Sequence, residues 1–258
     1  MILKLLTVLM LIPSLCFGAA STEYDGSGDY RSLGTASGLN TFWTGGSTIS
    51  IWAQPQTVGE GGFGMLWSRR NSNGWQAYCC NNNGGGFCAG VADTWTFLNL
   101  GASSTFGAWT SGASSISYNS WQHIVVIYND SAAANDPTIY KNGSSLTITQ
   151  QNAFAAPAAY DDTADTVIGN RDSANAFNRS FDGYLVYFKA WKAKSLTLTE
   201  VIEQMWKPEM IPGAQAFHIL LDSSTNDLSG TGSDISATVG TVASASGPPV
   251  GFGGLLPL

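Results

Sequence analysis

Two neighbouring segments constrain this chain more than any others: NSWQHIVVIYND, from Asn119 to Asp130, and TIYKNGSSLTI, from Thr138 to Ile148. Each is an apolar run rich in β-branched and aromatic residues, closed by Asn, Asp or Gly, and VIGN and FDGYLVYF follow in the same style. β-branched and aromatic side chains fit a pleated, half-buried surface, and Asn-Gly is the strongest short hairpin signal. Similar runs read as strands over Glu23 to Tyr30, Ser47 to Gln54, Gly64 to Arg69, Trp75 to Cys80, Phe87 to Ala92, Ser114 to Tyr118, His123 to Tyr128, Thr138 to Lys141, Thr166 to Gly169 and Gly183 to Trp191. Weaker ones follow at Phe217 to Leu221 and Ile235 to Val242. Such recurrence without long helical periods predicts an antiparallel sandwich. In STISIWAQP, Ile49, Ile51 and Ala53 alternate with Ser50, Trp52 and Gln54, giving the strand two different faces, and Pro55 ends it.

One helix is expected. In SLTLTEVIEQMWKP the residues Leu198, Val201, Ile202 and Met205 form a one-sided stripe, Thr197 and Glu200 match a capping box, and Pro208 stops the run. It is short and lacks a basic polar face, so it reads as a clip packed on the sandwich rather than a membrane-surface helix.

The first twenty residues, MILKLLTVLMLIPSLCFGAA, carry Lys4, an apolar run and small residues at Gly18, Ala19 and Ala20. They read as a secretory signal over residues 1–20, too short for a bilayer span, cleaved after Ala20. Residues 21–246 then form one domain, and the Gly- and Pro-rich residues 247–258 a surface tail. The formal net charge of −7 becomes one unit more negative without Lys4, which disfavours nucleic acid and anionic membranes as partners.

Three cysteines remain after cleavage, Cys79, Cys80 and Cys88, so an oxidising compartment predicts one disulfide and one thiol. YCCNNNGGGFCAG reads as a hairpin with its tip at Asn81 to Gly86. That register pairs Cys79 with Cys88; a shift of one residue selects Cys80 instead.

The order of these pieces resembles the laminin G-like jelly-roll family of the concanavalin A-like lectin and glucanase fold. EYDGSGDY looks like its opening strand, STISIWAQP its first core strand, NSWQHIVVIYN its Trp-x-His strand and TIYKNG its Tyr-x-Asn-Gly hairpin. TVIGN, SFDGYLVYFKAW and LTLTEVIEQMW look like the Ile-Gly turn, the Gly-containing strand and the closing helix, so the resemblance runs from Glu23 to Trp206. It implies an all-β, two-sheet antiparallel jelly-roll sandwich with one short helix towards the C-terminal side. After Gly183 the family often has Ile-Asp or Ile-Asp-Asp, whereas this chain has Leu185, Val186 and Tyr187.

Catalytic chemistry finds little footing. Retaining glycosidases need two carboxylates about 5 to 5.5 Å apart. The related glucanases use a Glu-x-Asp-x-x-Glu strand, and none of Glu23, Glu60, Glu200, Glu203 and Glu209 begins one. His123, in the Trp-x-His position, reads as a hydrogen-bonded strand residue rather than a general base. His218 lies far from it in sequence, so zinc has no basis, and no Gly-x-Ser-x-Gly elbow occurs. Calcium is the cofactor the resemblance implies, at the sandwich rim, with Asp93, Asp161, Asp162, Asp165 and Asp172 as candidate ligands. Sugar rings stack their C–H faces on Trp and Tyr while amides order the hydroxyls, which nominates Trp75, Tyr78, Asn81, Asn82, Asn83, Trp95 and Trp109. The Asn-x-Ser sequences at Asn129, Asn142 and Asn178 are glycosylation acceptors in a eukaryotic secretory pathway and turn residues in a bacterium, the reading that the tail favours.

The sequence therefore predicts a secreted, non-enzymatic module, extracellular, on a cell surface or periplasmic, that recognises a glycan or an extracellular protein through rim loops. A self-assembling structural or adhesion protein of a surface or phage particle is the alternative. A polysaccharide hydrolase or lyase comes third.

Overall fold

Alternation along the strands builds two sheets face to face. The structure is a computed structural model that describes residues 20–70, 74–81, 88, 90–100, 106–154, 163–171, 177–213, 216–219, 226–229, 234–244 and 247–249. The first sheet contains β1 (Ser21–Asp25), β3 (Ser47–Pro55), β8 (Gln122–Tyr128), β9 (Thr138–Lys141), β10 (Ser144–Ser145), β13 (Asp182–Trp191), β14 (Ala216–Ile219) and β16 (Val242–Ser244). Its order is β10-β9-β8-β3-β13-β1-β16, with β14 also paired to β13. The second contains β2 (Tyr30–Ser32), β4 (Met65–Arg70), β5 (Gly74–Cys80), β6 (Thr94–Leu100), β7 (Phe106–Ser111), β11 (Ile148–Asn152), β12 (Thr166–Ile168) and β15 (Ala237–Val239), in the order β11-β7-β6-β5-β4-β12-β2-β15. Antiparallel pairing throughout and one helix, α1 (Leu198–Trp206), make the described residues the expected two-sheet sandwich.

Between the sheets lies an aromatic core. Ile49, Ile51 and Ala53 of β3 and Ile124, Val126 and Tyr128 of β8 meet Trp75, Ala77 and Cys79 of β5 and Trp95 and Phe97 of β6. Trp43 sits at its centre, edge-on to Trp75 at 5.8 Å, to Phe97 at 5.2 Å and to Tyr128 at 5.9 Å. Each such pair contributes about 0.5–1.5 kcal/mol beyond its area burial.

Several strands differ from the sequence reading. Glu23 to Tyr30 is two strands in different sheets, β1 and β2, because Gly26 and Gly28 take positive φ (79° and 76°) and turn the chain between them. The described residues of Phe87 to Ala92 and Ser114 to Tyr118 are not strand, and the partner of β5 is β6, with β7 and β11 beyond. That displaces the expected hairpin and with it the disulfide. Cys79 shares a face with Trp75 and Ala77 and points into the inter-sheet core, where it is a buried free thiol. Cys80 points the opposite way with Tyr78, onto the outer face where Cys88 lies, so the disulfide is Cys80–Cys88 with Cα atoms 5.8 Å apart.

β13 carries a bulge. Val186 pairs with Trp52 and Lys189 with Ser50, three steps against two, and the extra residue is Tyr187 at φ 53°. Leu185 and Phe188 therefore both face the core, while Val186 and Tyr187 both face outward under α1. The bulge also marks a change of neighbour: β1 pairs with Asp182 to Leu185, and β14 with Phe188 to Trp191. Just upstream Gly183 has φ 135°, and a Cβ there would fall on the Gln54 carbonyl oxygen, so only glycine lets β13 approach β3.

The helix closes this outer face. Thr197 Oγ1 accepts the Glu200 N–H at 3.3 Å and Glu200 Oε2 accepts the Thr197 N–H at 2.8 Å, the reciprocal capping box the sequence predicts. Lys194 adds an ion pair to Glu200 at 2.9 Å. The buried stripe is Val201, Gln204 and Met205; Leu198, expected in it, is 49% exposed. Gln204 takes the inward position because its Oε1 accepts from the buried Lys189 Nζ at 3.2 Å.

Candidate functional site

The aromatic residues nominated from sequence do not reach solvent. Trp75, Trp95 and Trp109 lie in the inter-sheet core, and Trp109 spends its indole N–H on Asp136 Oδ1 at 2.6 Å. Tyr78 is on the outer face of the second sheet, buried beside Phe63. Along these strands Trp75, Trp95 and Trp109 face the other sheet, and Tyr78 on the opposite face is covered. Asn81 is half-buried, and Asn82 and Asn83 lie outside the described residues.

Of the calcium candidates, Asp93 and Asp165 fall among the described residues. Asp93, at φ 55°, accepts a hydrogen bond from the Tyr118 hydroxyl at 2.5 Å, and Asp165 is half-buried. Among the described residues no three His, Cys, Asp or Glu side chains converge as a metal would require, and Asp161, Asp162 and Asp172 lie outside them.

A different set of aromatic and amide residues meets in a groove of about 550 Å³ on the outer face of the first sheet. Period-two alternation supplies its floor: Trp52 and Gln54 point outward from β3, opposite Ile51 and Ala53. One wall comes from the chain entering β8, Asn119, Ser120 and Trp121, and the turn after β9 adds Asn142. The C-terminal end of α1 gives Met205 and Trp206, and Pro249 closes the lining. Trp121 and Trp206 are half-buried and pack their inner edges on Trp52, Val186, Tyr187 and Met205.

Backbone conformation fixes the amides. Asn119, at φ 57°, donates its N–H to Pro55 O at 2.7 Å and accepts from Gln54 Nε2 at 3.0 Å through its own carbonyl. Asn142 and Gly143, at φ 51° and 76°, form the two-residue hairpin turn that Asn-Gly favours. Asn142 grips His123 twice: its N–H donates to His123 O at 2.9 Å, and its Oδ1 accepts the His123 N–H at 2.8 Å. With Oδ1 engaged, the Nδ2 amide is the polar group that Asn142 offers to the groove. Trp52, 4% exposed, carries an indole N–H with no hydrogen-bond partner among the described residues.

Behind the groove the sheet holds two basic residues. His123 is buried with its ring 5.3 Å from that of Trp52; burial, and then the nearby Lys189 charge, push its pKa down to about 3. Its backbone N–H and carbonyl are both held by Asn142, and its ring is buried in the sheet. Lys189, also buried, donates to Lys207 O at 2.7 Å and Gln204 Oε1 at 3.2 Å; burial lowers its pKa to about 7 against the opposing charge of Glu209. It ties the end of α1, and so the Met205–Trp206 wall, to β13.

The Trp-x-His motif had drawn attention to His123, yet Trp121 is the residue that reaches the surface. A bulky Trp52 on the polar face of STISIWAQP was the available signal for this site.

Residues 25–202 match the family model described as the concanavalin A-like lectin/glucanases superfamily. No curated protein matches the chain. Among solved structures, a candidate carbohydrate-binding protein from Bacteroides ovatus superposes with a TM-score of 0.59 at 15% identity over 91% of this chain and 62% of its own, so this chain spans less than two thirds of that protein. The heptameric SAP-like pentraxin of Limulus polyphemus gives a TM-score of 0.55 at 14% identity, covering 90% of this chain and 96% of the pentraxin. At these identities the likeness is one of fold.

Proposed function

Given that the chain belongs to the concanavalin A-like lectin/glucanases superfamily, we propose that it is a secreted, non-catalytic module that binds glycans in the groove between α1 and the first sheet. The observation that carries this reading is the pairing of two half-exposed indoles, Trp121 and Trp206, with the amides of Gln54, Asn119 and Asn142. Aromatic faces stack on the C–H faces of pyranose rings, and amides donate to and accept from their hydroxyls. The described candidate-carbohydrate-binding relative shares the frame and adds weight in the same direction.

The non-catalytic reading is supported by the groove's lining among the described residues, which is indoles, amides, the Ser120 hydroxyl, a thioether and a proline. Secretion is supported by β1 opening at Ser21, the residue after the expected cleavage point; the signal itself, residues 1–20, falls outside the described residues save Ala20. No helix among the described residues is long and apolar enough to cross a membrane.

A glycan array probed with the chain, then with Trp121→Ala and Trp206→Ala, tests the reading. Buried aromatic anchors cost about 2 kcal/mol when truncated, so each variant should weaken its best glycan ~30-fold. A chain that binds glycans unchanged in both variants places the site elsewhere on the fold. One that binds none, yet scatters light as a multimer, favours self-assembly instead.

A further inference from the structure

We infer that the groove selects uncharged glycans and holds them without a metal ion, an inference that rests on the groove being the glycan site. Its lining among the described residues contains no Asp, Glu, Lys, Arg or His. The lining groups are the indoles of Trp121 and Trp206 over the buried Trp52, the amides of Gln54, Asn119 and Asn142 and the Ser120 hydroxyl, which match hydroxyls and acetamido groups rather than ions.

Charged side chains around the groove are engaged, Lys141 among them with its ammonium on Ser115 O. Lys189 lies behind the floor with its ammonium on Gln204 Oε1 and Lys207 O. Lys207 pairs with Glu203 at 2.6 Å across α1's last turn. Glu23 accepts from the Tyr184 hydroxyl at 3.4 Å, and the Tyr184 ring stands 6.4 Å from Trp121. A sialic acid or uronate would have to desolvate its carboxylate among indoles with no cation to receive it, in a chain of net charge −7.

The same inventory speaks to metal. Calcium needs several oxygen ligands, carboxylates above all, and the side-chain oxygens of the lining among the described residues are the amide oxygens of Gln54, Asn119 and Asn142 and the Ser120 hydroxyl, with no carboxylate. Of these, the Asn142 Oδ1 is committed to the His123 N–H.

Immobilised glycans in pairs that differ by the charge of a carboxylate, sialyllactose methyl ester with sialyllactose and methyl-esterified oligogalacturonate with oligogalacturonate, are titrated with the full chain in EDTA and again in millimolar calcium. Neutral members should bind at least ten-fold tighter than their acidic partners, with affinities in the two buffers agreeing within two-fold. Equal or tighter binding of the acidic members, or loss of binding in EDTA, overturns the inference and leaves glycan binding itself intact. If neither class binds in either buffer, the functional reading beneath falls and the inference falls with it.

Discussion

Lys189 should make the stability of this protein rise with pH in a range where most proteins are flat. Its side chain is 1% exposed and burial lowers its pKa from 10.5 to about 7. The unfolded chain keeps that proton until pH ~10.4, so above pH 7 the unfolded state binds more protons than the folded one, and stability increases with pH at up to about 1.36 kcal/mol per unit. Integrated from pH 7 to 9 the gain is about 2 kcal/mol, with the half-titrated start at pH 7 included. Above pH 9 the buried Cys79 thiol and the tyrosines, all pushed upward by burial, take stability away again, so the window closes there. For a domain of this size the gain corresponds to a rise in Tm of roughly 4–8 °C between pH 7 and 9. Lys189→Met fills the same space without a proton to lose, and should melt near the wild type at pH 7 with no rise towards pH 9. Melting followed by calorimetry in buffers of equal ionic strength reads both slopes. An identical slope in Lys189→Met, or a flat wild type, refutes the assignment of this charge to the base of α1.

Two further predictions concern the frame. Cys80→Ser should lose about 2.5 kcal/mol, from the chain entropy of the short loop closed over a separation of eight residues, while Cys79 in the native protein should resist a thiol reagent that labels it after unfolding; denaturant melts and thiol titration check the pair. Gly183→Ala places a methyl on the Gln54 carbonyl at a φ of 135° and should cost more than ~2 kcal/mol, seen as a lower urea midpoint; a midpoint unchanged from the wild type would mean that β13 and β3 can separate locally.

The frame was legible because its signals are local. Ile49-Ile51-Ala53 against Ser50-Trp52-Gln54, the Asn142-Gly143 turn and the Thr197–Glu200 cap each declare themselves within a few residues, and each is present as read. β6 and β7 were missed because Phe87 to Ala92 was given their place as the partner of β5. Which cysteine meets Cys88 depends on which of two adjacent residues faces outward, a matter of register that composition cannot decide. The groove was illegible for a deeper reason: Trp52, Trp121, Asn142, Trp206 and Pro249 come from five stretches of chain and converge only when α1 docks. Richness in Trp between Trp75 and Trp109 pointed instead to the core, where large aromatics give most when buried.

The extra residue in β13 separates two things that strands ordinarily couple. Because Val186 and Lys189 already stand opposite Trp52 and Ser50, removing Tyr187 would leave Leu185, Phe188 and Ala190 facing the core in unbroken alternation. The ladder does not need Tyr187; only the surface beneath α1 does, where its ring lies 5.7 Å from the Lys189 ammonium and packs beside Trp52 and Met205. Tyr187 thus behaves as a detachable shim, a position where a lineage can gain or lose one amino acid and re-shape the seat of the helix while every inter-sheet contact keeps its place.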